Sequence, residues 1–139
     1  MTLGEVKVET LRLIGANTSE DIRAENLEEL LLEEKYRTYL VNMVGPINRA
    51  LSLFERRGVC EGARRIGHET PNTLDLVENG VGDDLCEILP FYIQSELQRS
   101  EDPEASAVAL SVFERHLSEI MGRRGARQAR VRDVMGGLK

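Results

Sequence analysis

Leu3, Val6, Thr10, Leu13 and Ile14 recur every three or four residues with polar positions between them, the pattern of an amphipathic helix over residues 3–14. Thr2-Leu3-Gly4-Glu5 reads as a capping box at its start, with the Thr2 hydroxyl taking the amide of Glu5, and Gly15 supplies a left-handed stop. Thr18 to Glu34 is strongly acidic, and only Ile22, Leu27, Leu30 and Leu31 have something to bury, so a short helix over 27–33 is expected. From Lys35 to Arg57, Tyr36, Tyr39/Leu40, Met43, Ile47, Leu51 and Phe54 keep one apolar register. This predicts a single long helix kinked at Pro46 and ended by Gly58.

Residues 59–82 break the pattern. Gly58, Gly62, Gly67, Pro71, Gly80 and Gly82 punctuate short runs that suit a small hairpin or an ordered loop. Asp83, Asp84 and Glu87 open a further helix striped by Leu85, Leu89, Tyr92, Ile93 and Leu97 and bent at Pro90. Asp102-Pro103-Glu104 is a cap, a first-turn proline and a first-turn acid. It starts a last helix to about Met121 that buries Val108 or Ala109, Val112/Phe113, Leu117 and Ile120, with Gly122 as its stop. The expected fold is all-α: a small bundle of about four main helices over 1–122, an irregular glycine-rich middle segment, and an extended basic C-terminal arm over 123–139.

Composition fits that outline. At 139 residues the chain suits one core, and with 4% aromatics and no Trp the filling falls to Leu, Val, Ile and Ala, which favours helix on helix over a β-sandwich. The net charge of −6 hides an asymmetry: Arg123, Arg124, Arg127, Arg130, Arg132 and Lys139 face only Asp133, so the arm carries +5 and the rest −11. Such an acidic body argues against indiscriminate adhesion to phosphates. Two cysteines and the lack of a basic-then-apolar leader suit a reduced, intracellular protein, and no apolar run is long enough to span a bilayer, so no membrane role is expected.

Catalytic chemistry has thin ingredients. His116 lies on or beside the buried face of the last helix and reads as a hydrogen-bonded structural histidine, and His68 as a loop residue. Cys60 and Cys86 lack zinc-site spacing with either. The Glu-rich run reads as a solvated face rather than a cation site. Glu78 to Asp84 places glycines before a helix but puts carboxylates where phosphate would sit. No cofactor, metal or enzymatic activity is expected. The arginine arm supports two readings: a solvated terminus without a task, or an arm that docks on an acidic partner or near nucleic acid, its alternation of cationic and apolar groups suiting strand addition.

Leu89-Pro90-Phe91-Tyr92-Ile93-Gln94-Ser95-Glu96-Leu97, then Glu101-Asp102-Pro103-Glu104-Ala105 and Phe113-Glu114-Arg115-His116-Leu117, form an ordered series that resembles the small helical head-tail connector (adaptor) proteins of tailed bacteriophages. Thr2 to Lys7 is similar to that family's first helix, and Tyr39 to Met43 with Ile47 to Ala50 to its long second helix. The resemblance implies a virion protein of the neck, made in the host cytoplasm. It would form a homo-oligomeric ring of twelve copies on the portal protein, beneath a stopper or tail-completion protein. Double-stranded DNA would pass through the channel without sequence-specific binding, and a carboxylate-rich wall suits a conduit that does not grip phosphate.

Within that picture the arm residues Arg123, Arg124, Arg127, Arg130, Val131, Arg132 and Val134 are expected to bind the portal or a neighbouring subunit. Ring contacts are head-to-tail, so each subunit needs two unlike patches. Acidic Glu28, Glu29, Glu33 and Glu34 are expected to meet Arg49, Arg56 and Arg57 of the next copy. The rival reading is a nucleic-acid-binding regulator that uses the arginine arm, with the helical body as its dimerisation unit.

Overall fold

The computed structural model describes residues 1–15 and 22–136, with side chains described for 1–15 and 22–124. Among these residues the elements are α1 (Leu3–Leu13), a 3₁₀ turn (Ala24–Asn26), α2 (Leu27–Leu30), α3 (Glu34–Val41), α4 (Val44–Arg56), α5 (Asp83–Leu97) and α6 (Pro103–Gly136). No strand forms among them, and a single antiparallel bridge joins Thr2 to Asp75. The all-α expectation holds.

Local chemistry sets the helix ends. The Thr2 hydroxyl accepts the amide of Glu5 at 3.2 Å, and Gly15 takes φ +86° to stop α1. The Asp102 carboxylate accepts the amide of Ala105 at 3.1 Å and caps α6. Pro90 lies inside a continuous α5.

Two expectations are corrected. Residues 35–57 are not one kinked helix: α3 ends at Val41, Asn42 and Met43 turn the chain, and α4 begins at Val44. Pro46 then falls in the first turn of α4, where an amide has no intrahelical acceptor, so the proline ring sacrifices no hydrogen bond. The apolar register survives the break, because Tyr36, Leu40, Met43, Ile47, Leu51 and Phe54 are all buried.

The second correction concerns Gly122, which does not end the last helix. α6 continues to Gly136, and Gly122 has no positive φ. The arm backbone is therefore helical over 123–136 rather than extended. A Cβ at Gly122 would meet nothing within 4 Å. Gly122→Ala is accordingly expected to stabilise the protein by about 0.5–1 kcal/mol through lower unfolded-state entropy, read as a higher urea midpoint at unchanged slope. A loss of similar size would mean that the helix stops there.

α5 is central: α6 packs along it most extensively, with α1 and α4 against its other sides. Phe113 of α6 is fully buried, with the Tyr92 ring centroid at 5.1 Å and that of Phe54 at 6.0 Å. Thr10 is buried without penalty because its hydroxyl donates to the Val6 carbonyl at 2.8 Å.

The middle segment is an ordered loop, and no hairpin forms. It contributes Val59, Ala63, Ile66, Leu76 and Val81 to the core. Two asparagines replace the missing strand partners. Asn48 of α4 accepts the Ile66 amide at 2.8 Å and donates to the Ile66 carbonyl at 2.9 Å, while Asn79 does the same for Arg64 at 3.1 and 3.0 Å. Gly80, at φ +85°, turns so close beneath Glu61 that a Cβ would lie 3.1 Å from the Glu61 carbonyl oxygen.

Candidate assembly surfaces

α6 buries Ala109, Phe113, Leu117 and Ile120, a choice of register that turns Val108 outward to 64% exposure. Of the sequence alternatives Val108 or Ala109, it is the smaller residue that is inside. Val108 borders an open groove of about 650 Å³ formed with Phe91, Gln94, Ala105 and Val112, rimmed by Asp102 and Glu104. The apolar lining continues past Val112 to Arg115. This is one exposed apolar surface.

A second lies at the turn from α2 to α3. Ile22, Leu27 and Leu30 anchor this segment in the core, and a helix of four residues leaves everything else outside. Leu31 is therefore at the surface rather than buried, Leu32 is 83% exposed, and Glu28, Glu29, Glu33 and Glu34, which flank them in sequence, are exposed as well. The acidic run thus carries two exposed leucines between pairs of exposed glutamates, an acidic collar in sequence that hydropathy alone did not reveal as an apolar knob.

Of the basic residues paired with that run by sequence, the structure separates one from the others. Arg49 is held within its own chain, its Nη2 2.7 Å and its Nε 2.9 Å from Glu96, which Arg99 also reaches at 2.8 Å. Arg56 and Arg57 are exposed at the end of α4 and make no ion pair among the described residues. The structure does not bring Glu28 to Glu34 and these arginines together within one chain.

The arm begins with a contact that sequence reasoning did not find. Arg123 is exposed, whereas Arg124 folds back on the body: its guanidinium reaches both Asp84 carboxylate oxygens, at 3.1 and 3.3 Å, and donates to the Val59 carbonyl. Asp84, read from sequence as a helix-start acid, is thereby also the acceptor that fastens α6 to α5. The side chains of Arg127, Arg130, Val131, Arg132 and Val134 lie outside the described residues.

The groups capable of chemistry are dispersed. His116 is partly exposed, with Nδ1 3.3 Å from Glu119, and His68 is exposed in the middle segment. Among the described residues no three of His, Cys, Asp and Glu cluster as metal ligands, and no helix is long and apolar enough to cross a membrane. Cys60 and Cys86 are free and buried, and burial pushes the Cys86 thiol up to about 11. At pH 8 such a thiol is roughly one part in a thousand thiolate. Neither cysteine is therefore expected to react with a thiol reagent in the native protein, and the labelling rate should follow global unfolding across a urea series.

The chain matches no known protein family model, no curated protein and no solved structure.

Proposed function

We propose that this protein is a structural subunit that assembles head to tail into a ring of twelve, at the neck of a tailed phage between portal and tail. The observation that carries this reading is the pair of unlike exposed apolar surfaces on different elements, the Val108 groove of α5 and α6 and the Leu31-Leu32 knob between α2 and α3. A closed ring needs two non-identical patches per subunit, and each of these would otherwise leave apolar area in water. The acidic collar suits a neighbour's Arg56 and Arg57, and an acidic body suits a passage for DNA. The order of helix motifs that resembles phage adaptors is what directs the ring to that location.

Light scattering and electron microscopy, with and without portal rings, test it. Val108→Asp is expected to block ring formation while leaving the monomer folded, since Val108 is largely in solvent. Deleting residues 125–139, which keeps the Arg124 anchor, is expected to lower incorporation on portal rings. A wild-type chain that stays a monomer alone and with portal overturns the proposal. Salt-sensitive duplex DNA binding that disappears with the same deletion would favour the regulator instead.

A further inference from the structure

Beside α1 lies a small cavity of about 170 Å³ lined by Leu27, Leu31, Leu40, Val41 and Val44 together with Lys7, His68 and Asn72. Five branched aliphatic groups form the wall, and the three polar groups all carry nitrogen donors. Among the described residues no carboxylate lines the cavity, although the protein is acidic and α2 beside it is rich in glutamate.

Lys7 is half-buried there, and its hydrogen bond is to a neutral group, Nζ donating to Asn72 Oδ1 at 2.8 Å. An ammonium has donors only, so it fixes the oxygen end of the Asn72 amide and leaves Nδ2 to donate elsewhere. Asn72 is itself fixed by the backbone: its carbonyl accepts the amide of Gly4 at 2.8 Å, and a Cβ at Gly4 would lie only 3.1 Å from that oxygen. The absent side chain at Gly4 lets the loop approach α1 and places the amide beside the lysine.

We infer that this cavity binds a carboxylate on a short branched aliphatic stem, with Lys7 and Asn72 Nδ2 holding the carboxylate and the leucines and valines enclosing the stem. The volume fits, because an apolar cavity of roughly 150 Å³ accommodates a molecule the size of benzene. The electrostatics fit as well. Burial lowers the pKa of Lys7, and an entering carboxylate supplies a counter-charge where water is scarce. Two sources carry this chemistry: a free branched-chain acid, or the terminal carboxylate of a peptide ending in leucine. The cavity shares Leu31 with the knob assigned to ring contacts, but its recognition by Lys7 and Asn72 does not depend on assembly.

Calorimetry and amide chemical shifts test it with four probes: isocaproate, its matching alcohol, a short peptide ending in leucine with a free carboxylate, and the same peptide amidated. The acids are expected to bind about tenfold or more tightly than their neutral counterparts, shifting the amides of residues 7, 41, 44 and 72. Lys7→Met should abolish that preference while the alcohol still binds. Val41→Trp, at a position 46% exposed and so harmless to folding, should fill the mouth and abolish binding of all four. Stronger binding of isocaproate would identify a small acid, and stronger binding of the peptide a protein tail; either supports the site. Absence of shifts at millimolar probe, equal affinity for acid and neutral forms, or an unchanged preference in Lys7→Met overturns it.

Discussion

Phe113→Ala is expected to destabilise the protein by about 4 kcal/mol, at the upper end for a core truncation. Phe113 is fully buried, and its ring fills the space between Tyr92 of α5 and Phe54 of α4. Removing it takes away the transfer energy of the ring and leaves a void whose walls are three helices already packed on one another, so collapse can recover little. For a domain of ordinary stability, about 5–15 kcal/mol, that loss brings unfolding near physiological temperature. Urea unfolding checks it, and Phe113→Leu, which refills most of the volume, should recover well over half of the loss. A cost below about 1 kcal/mol would mean that α6 does not pack on α5 as described.

Asn48→Ala is expected to cost about 2–4 kcal/mol, although it removes only a few polar atoms. The reason is geometric: the one amide serves both backbone groups of Ile66, whose side chain is itself buried. Truncation leaves an amide and a carbonyl without partners at the edge of the core. Asn48→Asp should be no better, since it keeps the acceptor for the Ile66 amide but turns an anionic oxygen towards the Ile66 carbonyl. Hydrogen exchange locates the effect, with amides of residues 63–67 losing protection before those of α5. Uniform loss of protection across the chain would show that this loop and the helices open only together.

Much of the helical framework was legible because the residues that decide it are local. Thr2 and Gly15 bound α1, Asp102 and Pro103 open α6, and Met43, Ile47, Leu51 and Phe54 repeat at the helical period. The misreadings came where two local signals had equal force. A proline in an unbroken apolar register suits a kink as well as a first turn, and only the backbone between Val41 and Val44 decides between them. A glycine after an apolar run is a stop unless the next residues favour helix more strongly, as the Arg- and Ala-rich run after Gly122 does.

The surfaces were less legible because exposure depends on partners distant in sequence. Val108 and Ala109 are equivalent to a helical period, and only the packed structure selects between them. Arg49 was indistinguishable from Arg56 and Arg57 until Glu96 came beside it. Lys7 is an ordinary polar position of an amphipathic helix until the loop at Asn72, more than sixty residues away, arrives next to it. The structure of the middle segment was illegible for the same reason: its backbone partners are side chains of Asn48 and Asn79, which leave no periodic trace.

The fork between Arg124, Asp84 and the Val59 carbonyl acts as a rivet at the point where α6 leaves the body. A lysine would lose the planar fork, whose two amino groups engage the Val59 carbonyl and the Asp84 carboxylate separately. At 1.5 Å per residue, the twelve helical residues from Gly125 to Gly136 are about 18 Å long. Any contact made by that tip lies within a reach set by residue count alone.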